Sequence, residues 1–101
     1  MCKCRRISPR QFEELKKAHP YQILKFAYDP WSDEESGVRL DLILLNSKYY
    51  VEYCRWSWLD GDYSEDDVAC FCVVWECKTK KDAEALFSKL VKEHKLKVSP
   101  Q

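Results

Sequence analysis

Glycine is scarce in this 101-residue chain, which holds only Gly37 and Gly61. The Gly-rich loops that cradle phosphate groups in dinucleotide-binding and P-loop enzymes therefore have almost no material to be built from. Long apolar runs are missing as well. No window holds the roughly 18 consecutive apolar residues that a membrane span needs. The opening stretch, Met-Cys-Lys-Cys-Arg-Arg-Ile-Ser-Pro, lacks the apolar core of a secretory signal. These absences predict a cytoplasmic protein with no membrane partner. Imidazole is limited to His19 and His94, both near the ends of predicted helices, where a His interacts favourably with the helix dipole.

Net charge is also absent, with 17 basic and 17 acidic residues, yet it is unevenly placed. Residues 1–26 carry a net +5, residues 27–67 a net −8 and residues 68–101 a net +3. Two basic ends thus flank an acidic middle, which is a statement about the field shown to partners.

The order of elements follows from local signals. Ser8 before Pro9 is an N-cap with proline in the first turn, and Phe12, Leu15 and His19 give a narrow stripe that Pro20 ends. The pattern predicts a helix over Pro9–Ala18. Strands are predicted over Tyr21–Tyr28, Val38–Leu45, Tyr49–Trp58 and Val68–Cys77 from their branched and aromatic content, with Asn46-Ser47 as a hairpin turn. Thr79 with Asp82 three residues on resembles a capping box, and Ala83, Leu86, Phe87, Leu90 and Val91 keep helical spacing to about Glu93.

This α-β-β-β-β-α order predicts an α+β fold: a single antiparallel four-stranded sheet, flanked by an N-terminal and a C-terminal helix that cover one face. Residues 1–101 read as one domain, with 1–7 as a flexible arm. The strand over 68–77 is apolar on both faces, so two helices on one side would leave an aromatic face open or covered by a second copy in a homodimer.

Six cysteines form two C-x-C pairs, Cys2/Cys4 and Cys70/Cys72. Structural zinc sites favour C-x2-C on tight turns, and Cys70 and Cys72 fall mid-strand, so the pairs read as buried thiols and no metal or cofactor is expected. A disulfide framework would need an oxidising compartment. Asp60-Gly61-Asp62-Tyr63-Ser64-Glu65-Asp66 has alternating oxygens but not the glycine and glutamate positions of a calcium loop. No nucleophile stands in a recognisable catalytic signature, so the protein is expected not to be an enzyme.

Lys80-Lys81-Asp82-Ala83 resembles the start of the last helix in the double-stranded RNA-binding domain, and Arg55-Trp56-Ser57 resembles part of a Trp-Gly-Arg motif. The first family has three strands and the second needs a Gly and a following Arg, so neither assigns the chain. The sharper signal is acidic. Trp31, Asp33, Glu34, Glu35, Trp58, Asp60, Asp62, Tyr63, Glu65, Asp66 and Asp67 fall in or beside two loops at one end of the expected sheet. They predict a protein-binding adaptor or inhibitor, of the kind used by viruses or phages in counter-defence. Its partner is a basic protein surface such as that of a nucleic-acid-binding protein. The alternative is an RNA- or DNA-binding module using Arg5, Arg6, Arg10, Lys78, Lys81, Lys89 and Lys92. The acidic middle disfavours that alternative.

Overall fold

The Arg10 amide donates to the Ser8 side chain at 3.2 Å and Pro9 sits in the first turn, which starts helix α1, Pro9–Ala18. The second helix, α2, Lys80–His94, starts the same way, with the Asp82 amide donating to the Thr79 hydroxyl at 3.1 Å. The computed structural model describes residues 4–30, 36–58 and 68–99. Around the helices run β1 (Cys4–Ile7), β2 (Tyr21–Tyr28), β3 (Ser36–Leu45), β4 (Lys48–Trp58), β5 (Val68–Cys77) and β6 (Lys97–Ser99).

The strands form one antiparallel sheet in the order β1-β5-β4-β3-β2-β6. The expected α+β class and the antiparallel sheet hold; the strand number does not. The sheet has six strands rather than four, because two short segments pair onto its edges. Cys4–Ile7, inside the segment expected as an arm, lie along β5, and Lys97–Ser99 lie along β2. Neither segment carries enough apolar alternation to announce itself. The β3–β4 hairpin turns at Asn46 and Ser47, whose φ values of 49° and 65° are what a type I′ turn requires. Lys95 ends α2 in the left-handed region, φ 53° and ψ 47°, which turns Leu96 into the core and leads to β6.

The helices lie on opposite faces, not on one as the sequence suggested. Successive strand residues point to opposite sides. Leu42 and Val51 pack with Ala83, Leu86, Phe87 and Leu90 of α2, whereas their neighbours Ile43 and Tyr50 pack with Phe12 of α1. The Phe12 and Tyr50 rings are 5.1 Å apart. The two covers differ in size. A helix of 10 residues is about 15 Å long and one of 15 residues about 22 Å. Strand β4, with 11 residues, runs about 36 Å. Helix α1 therefore shelters less than half the length of its face.

Cys4 and Cys77, opposed in register on β1 and β5, are joined by a disulfide with Cα atoms 4.3 Å apart. The expectation of reduced thiols throughout is corrected at this pair, because β1, unread in the sequence, brings Cys4 against the buried Cys77. The Cys4 sulfur lies 3.8 Å from the Asp82 carbonyl oxygen, beneath the first turn of α2.

The bond closes a loop with a sequence separation of 73, worth about 4 kcal/mol in a chain-entropy account. Replacing Cys4 and Cys77 together by Ala should lower unfolding stability in urea by about 2–4 kcal/mol, and full reduction of the wild type should match it. Phe12→Ala should cost about 3–5 kcal/mol in the same assay, since the ring is completely buried.

Candidate functional site

From the edge of α1 outward, the same sheet face carries polar and reactive groups in rows set by the strand register. Phe26, Asp41, Glu52 and Val74 are successive partners across β2, β3, β4 and β5, and Tyr28, Arg39, Cys54 and Cys72 form the next row. Two carboxyls, Asp41 and Glu52, thus stand side by side at 8% and 9% exposure.

Each carboxyl has one cation. Arg39 Nε donates to both oxygens of Asp41, at 3.0 and 3.2 Å, while its guanidinium lies 4.8 Å from the centre of the Phe26 ring. Lys16 reaches over from α1 to 3.9 Å from Glu52, and it holds Glu13 at 2.8 Å. Burial pushes both sheet carboxyls above their ordinary range, Arg39 pulling Asp41 back and Lys16 pulling Glu52 back. Burial acts to lower the Lys16 ammonium, but the hydrogen bond to Glu13 and the charge of Glu52 outweigh it and its pKa rises. Among the described residues, no buried side-chain nitrogen or oxygen lacks a hydrogen-bond partner. Nearer the hairpin, the Tyr50 hydroxyl donates to Glu76 at 3.2 Å; burial and that carboxylate push the phenol up to about 12.

The arrangement holds paired charges at a sheet surface, and it converges on no metal geometry. Among the described residues, no three His, Cys, Asp or Glu side chains are grouped so that they could hold a metal ion. An open depression of about 550 Å³ lies elsewhere, by the β3–β4 hairpin between Tyr21 and Tyr49. An apolar groove of about 220 Å³ runs between α2 and Val98 of β6. Among the described residues, no helix is long and apolar enough to cross a membrane.

Of the residues singled out in the sequence, Trp31, Asp33, Glu34, Glu35, Asp60, Asp62, Tyr63, Glu65, Asp66 and Asp67 lie outside the described residues. Trp58 is the last residue of β4, in register with Val68. The strand ends that flank the two acidic segments are neighbours: Ser36 pairs with Ser57, and Trp58 with Val68. Phe71, 59% exposed, and the half-buried Trp56 and Tyr28 lie toward that end of the sheet. The basic candidates do not share a face. Arg10 opens α1 on one side, and Lys81, Lys89 and Lys92 are exposed on α2 on the other. Arg5 is held 3.4 Å from Glu76, Arg6 is exposed on β1, and Lys78 is exposed just before α2.

Sequence reasoning missed Asp41, Glu52, Arg39 and Lys16, counting them only as surface charge. The available signal was period-two placement: Asp41 between Leu40 and Leu42, and Glu52 between Val51 and Tyr53, on the side that carries Ile43 and Tyr50. Comparison with protein-family models, curated proteins and solved structures gives no match.

Because both carboxyls are raised in the folded chain, the fold binds protons that the unfolded chain has already released. Stability therefore falls as pH climbs from about 4 through the raised values. Glu52→Gln should flatten this fall and raise the melting temperature at about pH 8, each unit of raised pKa corresponding to about 1.4 kcal/mol. Calorimetry across pH checks it; an unchanged slope would leave Asp41 as the titrating group.

Proposed function

We propose that this protein acts by binding rather than by chemistry, as an adaptor or inhibitor that presents an acidic, aromatic-rich edge to a basic protein surface. The observation that carries the reading is the adjacency of the strand ends Tyr28, Ser36, Trp58 and Val68, from which both acidic segments depart at one end of the sheet. Between those ends the chain supplies Asp33, Glu34 and Glu35 from one segment and Asp60, Asp62, Glu65, Asp66 and Asp67 from the other. Exposed Phe71 and half-buried Trp56 add apolar area of the kind that anchors an interface. Acidic groups gathered at one edge steer a basic partner and raise its association rate, with a strong dependence on salt.

The division of the basic residues between opposite faces supports the choice of a protein partner over a nucleic acid. A phosphate backbone is followed by a continuous basic stripe, and here Arg10 and the α2 lysines are separated by the sheet.

The test is titration against a Lys/Arg-rich peptide and, separately, against duplex RNA. Replacing Asp60, Asp62, Asp66 and Asp67 by Asn should weaken the peptide complex at least about tenfold, or about 1.4 kcal/mol, and remove most of its salt dependence. Neutralising Lys81, Lys89 and Lys92 to Gln should leave it unchanged. Loss of RNA binding on the lysine changes, with the acidic changes silent in the peptide assay, would overturn the reading.

A further inference from the structure

Cys54 on β4 and Cys72 on β5 are direct partners in the sheet register. Their sulfur atoms are 2.7 Å apart, much closer than van der Waals contact and longer than the roughly 2.05 Å of a covalent bond. Opposed residues on antiparallel strands have Cα atoms about 4.5–5.5 Å apart, inside the span of about 4.4–6.8 Å that a disulfide bridges. No backbone movement is needed to join them. Elsewhere in the sheet the chain already makes such a bond, at the register partners Cys4 and Cys77.

Position distinguishes this second pair. Cys54 and Cys72 are half-buried and lie on the part of the sheet face that α1 leaves open, so a small reagent can approach. Cys54 stands four positions before Trp58, and Cys72 four positions after Val68. A bond between them closes a ring that contains the whole acidic segment from Asp60 to Asp67.

We propose that Cys54 and Cys72 form a second, reversible cross-strand disulfide by exchange with a low-molecular-weight disulfide such as oxidised glutathione. One cysteine, as thiolate, attacks the reagent and expels one glutathione thiolate, leaving a mixed disulfide. The other then attacks the protein sulfur of that intermediate and expels the second glutathione thiolate. The two thiol protons leave with the two glutathiones, the pair loses two electrons and the reagent gains them. Burial, the contact with Cys72 and the charges of Glu52 and Asp41 all push the Cys54 thiol up, which makes Cys54 a poor attacking thiolate at neutral pH. Once closed, the second disulfide ties β5 to β4 as Cys4–Cys77 ties β5 to β1, through opposite faces of the same strand.

The experiment equilibrates the reduced full chain with oxidised glutathione, traps the remaining thiols with iodoacetamide, and reads intact mass and cross-linked peptides. The expected result is a species that carries carbamidomethyl groups on Cys2 and Cys70 only and has otherwise lost four hydrogens relative to the reduced chain, with Cys4 linked to Cys77 and Cys54 linked to Cys72. The Cys54–Cys72 link should appear more slowly as pH is lowered. Cys54→Ala should remove only the second link and leave Cys72 alkylated or glutathionylated. If Cys54 and Cys72 are both alkylated while Cys4–Cys77 forms, or if either is found bonded to Cys2 or Cys70 instead, the proposal is overturned. The cross-linked peptides of the wild type are decisive even if a variant fails to fold.

Discussion

Strands β3 and β4 have to be sheltered on both sides, and that requirement organises the molecule. Leu42 and Val51 turn one way and Ile43 and Tyr50 the other, all of them buried. A sheet apolar on both faces cannot leave either one to water without losing about 25 cal/mol for each Å² of apolar area exposed. One helix on each face meets the demand, and the face with the shorter helix meets it only near the hairpin end. At the edge of α1, the sheet switches from apolar residues to Asp41, Glu52 and Arg39, and Lys16 of α1 meets Glu52 there. These are polar enough to meet solvent yet close enough to one another to be desolvated. The paired charges thus follow from a 10-residue helix lying against an 11-residue strand.

Much of this was legible in the chain. The Ser8-Pro9 and Thr79 caps located both helices, and Asn46-Ser47 located the hairpin, because capping and turn chemistry are local. Strands β1 and β6 were not legible. Ile7 is the one buried side chain in β1, Val98 is exposed in β6, and both segments are strands because an unpaired edge of β5 and of β2 accepts them. With β1 unread, the Cys4–Cys77 bond was invisible too, since cysteine pairing is a property of register and not of spacing. The choice of face for α1 was equally non-local. Phe12 and Leu15 declare an apolar stripe but not which side of the sheet it meets. The acidic segments lie outside the described residues, and what supports them as a site is the placement of the strand ends that flank them.

The same logic explains why the charged face was missed while the charge imbalance was seen. Counting acids finds a net −8 across residues 27–67. It does not separate an aspartate in a loop from Asp41, which lies between two buried leucines and needs Arg39 beside it. Position in a two-residue period carries that distinction, and it becomes decisive only once both faces of the strand are known to be covered.

The two edge strands have a consequence for how the sheet meets its surroundings. At four and three residues, β1 and β6 are too short to offer a long row of open amides and carbonyls to another strand. They also carry Arg5, Arg6 and Lys97, all exposed. A neighbouring molecule trying to extend the sheet would set like charges against each other and find few backbone groups to pair with. A ladder rich in branched and aromatic residues is otherwise a ready seed for fibrous growth. Among the described residues, both borders are short and positively charged, which discourages that growth.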